Sequence, residues 1–250
     1  MLHAERSGWG PRLVLAHGFT QTARSWGRFA TLVGAGRELV RVDLPGHGGS
    51  SQVHADLERG GDLLAQVASA GDVPFDLLGY SLGARVALHA ALAAPAGLRR
   101  LVLIGGTAGI EDPVRREERR RRDEALAAEL EADLDGFLTR WVAAPMFAGV
   151  GDPGLGERRR NTEQGLASSL RLASTGCQRP LWGRLGELRA PLLALAGADD
   201  VRFSIAAARL ARGAPAGTFS LIPGAGHAAH LVQPELCALI VRRFLGDDPR

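Results

Sequence analysis

The sequence predicts an α/β fold, a mostly parallel sheet with helices on both faces. Three observations carry that prediction. Short apolar runs recur along the chain with helical stretches between them. The runs end in glycine or other turn-forming residues. Residues able to do chemistry follow those ends, which is where sites gather in parallel sheets.

The elements follow in order. "RLVLAHG" (12–18) and "LVRVDL" (39–44) read as the first strands, and a helical stretch covers 56–70. "FDLLGY" (75–80) runs directly into a helix over 82–93, and "LRRLVLIGG" (98–106) is the next strand. The pattern resumes with "APLLALAGADD" (190–200), a helix over 204–212, "GTFSLIPGAGH" (217–227) and a helix over 234–245. Between 107 and 188 the alternation fails. "RREERRRRDEALAAELEADLDGFLTRW" sets Leu126, Leu130, Leu134 and Leu138 at four-residue spacing, an apolar stripe under a charged coat. A second helical piece runs through "NTEQGLASSLRLAS". The expectation is a helical cap, 107–188, inserted in a core built from 1–106 and 189–250. No internal repeat or Ser/Pro-rich linker divides the chain.

Composition excludes several classes. A chain of 250 residues suffices for one large domain with an insertion. Its 46% hydrophobic and 23% charged residues are ordinary for a soluble globular protein. No apolar run approaches the ~20 residues that span a bilayer. "MLHAERSGWGPR" lacks the apolar core of a secretory signal, so a cytoplasmic location is expected. Cys177 and Cys237 are too few for a disulfide framework and, beside apolar neighbours, are expected as buried thiols. The isoelectric point of about 9.6 raises nucleic acid as a partner. A net charge of only +3 and 5% aromatics argue against it, because base stacking needs aromatic platforms. Neither nucleic acid nor membrane is expected as a partner, and the sequence assigns no oligomeric state.

The chemistry centres on "LLGYSLGA" (77–84). Gly79-Tyr80-Ser81-Leu82-Gly83 is a G-x-S-x-G at a strand-to-helix junction, where glycines permit a strained turn that presents the serine hydroxyl. The serine needs a base and the base an orienting acid, in the chain order Ser, Asp or Glu, His. "LLALAGADD" offers both Asp199 and Asp200, and the G-x-x-D spacing from Gly197 favours Asp200. "SLIPGAGHAAH" offers His227, after the bend at Gly226, with His230 as the alternative. In "LAHGFTQTARSW" a His-Gly-x turn directs backbone N–H groups toward the pocket. Phe19 and Leu82 are the expected oxyanion donors, and His17 is expected to shape the turn. Asp43 and His47 of "DLPGHGGS" are expected to pin a neighbouring loop. No Cys/His or carboxylate cluster has ligand spacing and no phosphate-binding loop is present, so neither metal nor cofactor is expected.

Arg85 is the residue an ordinary ester pocket does not explain. It lies four positions after Ser81, one turn further along the same helix face. A guanidinium is a planar fork suited to carboxylates, which points to an anionic substrate.

With these motifs the whole chain resembles the α/β-hydrolases. Within them it resembles the 2-succinyl-6-hydroxy-2,4-cyclohexadiene-1-carboxylate synthases of menaquinone biosynthesis. The generic pieces are "LAHGFTQTARSW", "VDLPGHGGS" and "IPGAGHAAH". The more specific ones are "LLGYSLGARVAL", "ERRRRDEALAAELEADLDGFLTRWVAAPMF" and "GLASSLRLASTGCQRPLW". The resemblance implies a lyase that eliminates pyruvate from a small polycarboxylate, with Ser81, His227 and Asp200 removing a proton and no acyl-enzyme forming. It also implies two cap arginines at the substrate, Arg119 and Arg158, each set in an arginine run, and pocket roles for Tyr80 and Trp141. The competing expectation is a serine hydrolase, an esterase or C–C bond hydrolase acting on an anion, since a triad does not specify the reaction. A non-catalytic receptor would need the pocket but not Ser81, Asp200 and His227 together.

Overall fold

The computed structural model describes residues 1–247. Its strands are β1 (Ala4–Ser7), β2 (Arg12–Ala16), β3 (Glu38–Val42), β4 (Phe75–Tyr80), β5 (Leu98–Ile104), β6 (Leu192–Gly197) and β7 (Gly217–Ile222). They form one sheet in the order β1-β3-β2-β4-β5-β6-β7. β1 runs antiparallel to β3, and the remaining neighbours are parallel. β2, β4 and β6 are buried at every position, which is why they read as unbroken apolar runs.

Helices cover both faces. α1 (Gly27–Val33), the short α9 (Ala229–Val232) and α10 (Pro234–Phe244) pack on one side, where Trp26, Phe29 and Val241 meet Leu15, Leu78 and Val102. α2 (Leu57–Ala68), α3 (Leu82–Leu92) and α8 (Val201–Gly213) pack on the other, where Leu64, Leu88 and Leu210 meet Val14, Leu77 and Leu103. β1 is an element the sequence reading did not contain. "AERS" is too short and polar to show strand alternation, and its partly exposed residues hold to β3 in the register Ala4↔Val42.

Between β5 and β6 the chain forms α4 (Pro113–Ala132), α5 (Leu134–Val142), α6 (Leu155–Arg158) and α7 (Glu163–Ala173). α4 starts where the Asp112 carboxylate accepts from the N–H groups of Val114 and Arg115, with Pro113 in the first turn. The helical stretch expected to run on through Trp141 instead breaks at Asp133 (φ −155°, ψ 85°), whose carboxylate caps α5. The leucine stripe survives the break: Leu130 and Leu138 are buried, Leu126 and Leu134 half-buried. Leu130, Phe137, Leu138, Leu166 and Leu170 form a small core of their own, and Phe19 and Trp141 pack against it.

A charge network lies away from the sheet's carboxyl edge. Arg37, just before β3, donates to Asp76 on β4 (2.8 Å), and Arg99 on β5 donates to the same carboxylate (2.6 Å). Arg37 also pairs with Asp247, so a largely buried charge network ties the three strands to the segment after α10. Cys237 is buried as expected, but Cys177 is exposed. It sits in the turn after α7, and its thiol meets the Arg171 carbonyl (3.0 Å) rather than an apolar pocket. Among the described residues no helix is long and apolar enough to cross a membrane.

Candidate active site

Ser81 follows the last residue of β4 at φ 52°, ψ −104°, a conformation L-residues rarely adopt. Its neighbours explain how the turn is tolerated. A Cβ on Gly79 would collide with the Gly83 carbonyl, and one on Gly83 with the Ala16 carbonyl. The two glycines therefore let α3 lie directly over the strand ends. Backbone bonds from Ser81 N–H to Ile104 O and from Gly83 N–H to His17 O, both 2.9 Å, complete the turn.

The serine hydroxyl donates to His227 Nε2 at 2.9 Å, and His227 Nδ1–H donates to Asp200 Oδ2 at 3.0 Å. Asp200 also caps α8, accepting from Phe203 N–H at 3.2 Å. Burial raises its pKa, but the bonds from His227 and Phe203 outweigh this and hold it below the ordinary carboxylate value. Asp199 is exposed, and its backbone N–H is turned to Ala225 O. The Phe203 ring packs on His227 with centroids 4.4 Å apart. His230, the other candidate base, is buried against Tyr80, Trp26 and Phe29, and neither ring nitrogen has a partner. Burial lowers its pKa to about 3, so it stays neutral.

The turn after β2 is fixed by buried neutral histidines. His17 donates from Nδ1 to Gly18 O (2.8 Å) and accepts from Leu44 N–H (3.1 Å). His47 accepts from Thr20 N–H (3.2 Å), and Asp43 accepts from Ala23 N–H (2.6 Å) and Gly49 N–H (2.9 Å). Burial lowers His17 to about 4 and His47 to about 3. Thr20 has φ 66°, and residues from beyond α5 brace it. Asn161 donates to Thr20 O (2.7 Å) and accepts from Gly48 N–H (2.9 Å), and Thr22 donates to Glu157 (2.8 Å). The N–H groups of Phe19 and Leu82 have no protein acceptor among the described residues; Leu82 opens α3, where the first N–H groups of a helix are free.

A cavity opens above Ser81, lined by seven expected residues: Phe19, Ser81, Leu82, Arg85, Arg119, Trp141 and His227. Arg85 is buried and donates to Ala173 O at 2.6 Å, with no carboxylate partner among the described residues. Burial first, then neighbouring Arg119, lowers its pKa to about 9, and Asp123 partly offsets both. Arg119 donates from Nε to both Asp123 oxygens, at 2.9 and 2.8 Å. The Trp141 indole N–H is buried without an acceptor.

Two expected pocket residues lie elsewhere. Arg158 is buried behind the turn after β2, bonded to Pro153 O (2.9 Å), Phe19 O (3.3 Å) and Thr20 Oγ1. Burial lowers its pKa to about 10. Tyr80 is buried beneath Gly18, its ring 4.3 Å from that of His230. Both were expected on the resemblance alone, and a motif position does not show how deeply a side chain is buried. The cavity also holds Asp123, Arg202 and Phe203, which sequence reading passed over. The available signal was position: Arg202 and Phe203 fall in the helical turn just after Asp200. Among the described residues no group of three or more His, Cys, Asp or Glu could hold a metal ion.

Residues 13–238 match the model of the alpha/beta hydrolase family. The chain is 33% identical to the 2-succinyl-6-hydroxy-2,4-cyclohexadiene-1-carboxylate synthase of Serratia proteamaculans over 245 residues, covering 94% of this chain and 93% of that protein. It is 34% identical to the synthase of Escherichia coli O1:K1 over 231 residues, 90% of this chain and 89% of that one. The solved structure of MenH from S. aureus is similar at a TM-score of 0.89 and 27% identity, covering 99% of each chain. The chain thus belongs to the alpha/beta hydrolase family, among its 2-succinyl-6-hydroxy-2,4-cyclohexadiene-1-carboxylate synthases.

Proposed function

We propose that this chain eliminates pyruvate from 2-succinyl-5-enolpyruvyl-6-hydroxy-3-cyclohexene-1-carboxylate to give 2-succinyl-6-hydroxy-2,4-cyclohexadiene-1-carboxylate, a cytoplasmic step of menaquinone biosynthesis. The observation that carries the reading is a buried guanidinium, Arg85, without a carboxylate partner among the described residues, in the same cavity as Ser81 hydrogen-bonded to His227. A desolvated cation is costly unless an anion completes it, so the cavity suits a polycarboxylate better than a neutral ester.

In the mechanism His227 takes the Ser81 proton, and Ser81 Oγ removes the ring proton next to the succinyl ketone. The N–H groups of Phe19 and Leu82 hold the enolate oxygen, and Asp200 steadies the imidazolium. The enolpyruvyl C–O bond then breaks, the proton on His227 returns to the leaving group, and pyruvate forms. Segment 107–188 serves as the cap on a core of 1–106 and 189–250, and Arg119 reaches the substrate from it.

The test is incubation with the enolpyruvyl precursor while pyruvate and diene absorbance are followed. Both should appear together, and Ser81→Ala should slow them by at least ~100-fold, the scale for losing a positioned base. Ester hydrolysis with no pyruvate from the precursor would instead identify a serine hydrolase.

A further inference from the structure

The mouth of the cavity is rimmed by four guanidinium groups, three of which have no ion pair among the described residues. α4 carries Arg115, Arg119 and Arg122 on one face, and Arg202 stands across from them in the first turn of α8. With Ile110 and Glu118 these four arginines line a vestibule, and Arg119 and Arg202 also line the inner cavity beside Ser81 and His227. Glu118 is the one carboxylate in that vestibule lining. Asp123, on the inner side, is already engaged by Arg119. Arg115, Arg122 and Arg202 have no ion pair among the described residues, whereas Arg120 and Arg121, turned away on the same helix, both pair with Glu117.

Arg202 is also poorly placed for folding. A cation in the first turn of a helix opposes the helix dipole. Arg202 stands exposed at the rim, where partial loss of hydration, then Arg119 and Arg115, push its pKa below the usual arginine value, with Asp200 alone pulling the other way. Its guanidinium lies over the Phe203 ring, 5.5 Å from the centroid, and that ring packs on His227 at 4.4 Å. Phe203 thus bridges the cation to the catalytic base and holds it near the reacting centre without a direct contact. Repelling charges gathered at one rim are stabilised when an anion joins them.

We propose that Arg202, with Arg115 and Arg122, forms a second carboxylate site at the cavity mouth, distinct from Arg85 inside, and binds the substrate carboxylate farthest from the abstracted proton. The proposal rests on the polycarboxylate reading above. Arg202 acts in binding, not in proton transfer, and sets which anions are accepted.

Arg202→Gln keeps the length and removes the charge. It should raise KM by roughly tenfold or more while kcat stays within about threefold. Arg202→Lys should recover part of the loss, and Arg121→Ala should behave as wild type. Calorimetric titration with succinate gives a readout independent of turnover. Binding to Ser81→Ala should weaken by roughly fivefold or more when Arg202→Gln is added. An unchanged KM with unchanged succinate affinity overturns the site. So does a fall in kcat with a displaced pH profile, which would mean that Arg202 acts through Asp200 and His227. If the wild type forms no pyruvate but succinate binding still depends on Arg202, the proposed reaction fails and the anion site stands.

Discussion

His227 and His230 are three positions apart and meet opposite fates. His227 touches Ser81 and Asp200, while His230 is buried among Tyr80, Trp26 and Phe29 with both nitrogens unpartnered. Gly226 made the first assignment legible in the sequence; nothing in "GHAAH" revealed the aromatic box around the second. That box has a measurable cost. The folded pKa of His230 is about 3 against an ordinary 6.5. Between those values the unfolded chain binds a proton that the folded chain does not, so stability falls as pH falls below about 6.5. His17 and His47, lowered to about 4 and 3, act in the same direction. His230→Phe should shallow the loss between pH 6 and 4 by one proton, about 1.4 kcal/mol per pH unit. At pH 8 it should be at least as stable as wild type, because no unpartnered ring nitrogen remains. Urea unfolding at a series of pH values measures both; an unaltered slope would show that His230 does not titrate as described.

Elements were legible where one physical signal dominated. β2, β4 and β6 are buried throughout and announce themselves as apolar runs ending in turns. β1 escaped because its pairing to β3 is a matter of backbone bonds rather than side-chain pattern. The break at Asp133 escaped because the leucine stripe keeps its phase across it, and a capping aspartate looks like any other on a charged helix. The turn between β4 and α3 was the most legible of all, since its glycines answer a steric demand. Gly83→Ala should therefore cost at least ~3 kcal/mol, because the backbone of Ala16 and His17 already occupies the place of a Cβ. Gly151, with nothing within 4 Å of a built Cβ, is the matched control and should accept alanine within ~0.5 kcal/mol. Denaturant melts of the pair give the comparison, and equal stability would mean that the turn relaxes freely.

Across the whole molecule, the sheet separates a buried charge network from the candidate active site. The Arg37–Asp76–Arg99 network joins β3, β4 and β5 near their amino ends, while Ser81, Asp200 and His227 gather at the carboxyl ends. Asp76→Ala leaves a fully buried Arg37 with the partly exposed Asp247 as its remaining carboxylate. The expected loss is about 3 kcal/mol of stability, with kcat and KM unchanged at 25 °C. Unfolding curves and initial rates on one preparation check both halves, and a stable but slow variant would contradict the separation. Arginine orientation was the least legible feature. The runs Arg119–Arg122 and Arg158–Arg160 look alike in sequence, yet Arg119 reaches the cavity while Arg158 is buried behind it. Only packing against a second element decides such depth.

The bracing of Thr20 has a further consequence. Glu157, Arg158 and Asn161 hold the turn that carries the Phe19 N–H, so the segment behind the turn and the turn itself share one set of fastenings. The fold thereby couples the two as an interlock: displacing Glu157–Asn161 would also slacken the turn that positions the Phe19 N–H.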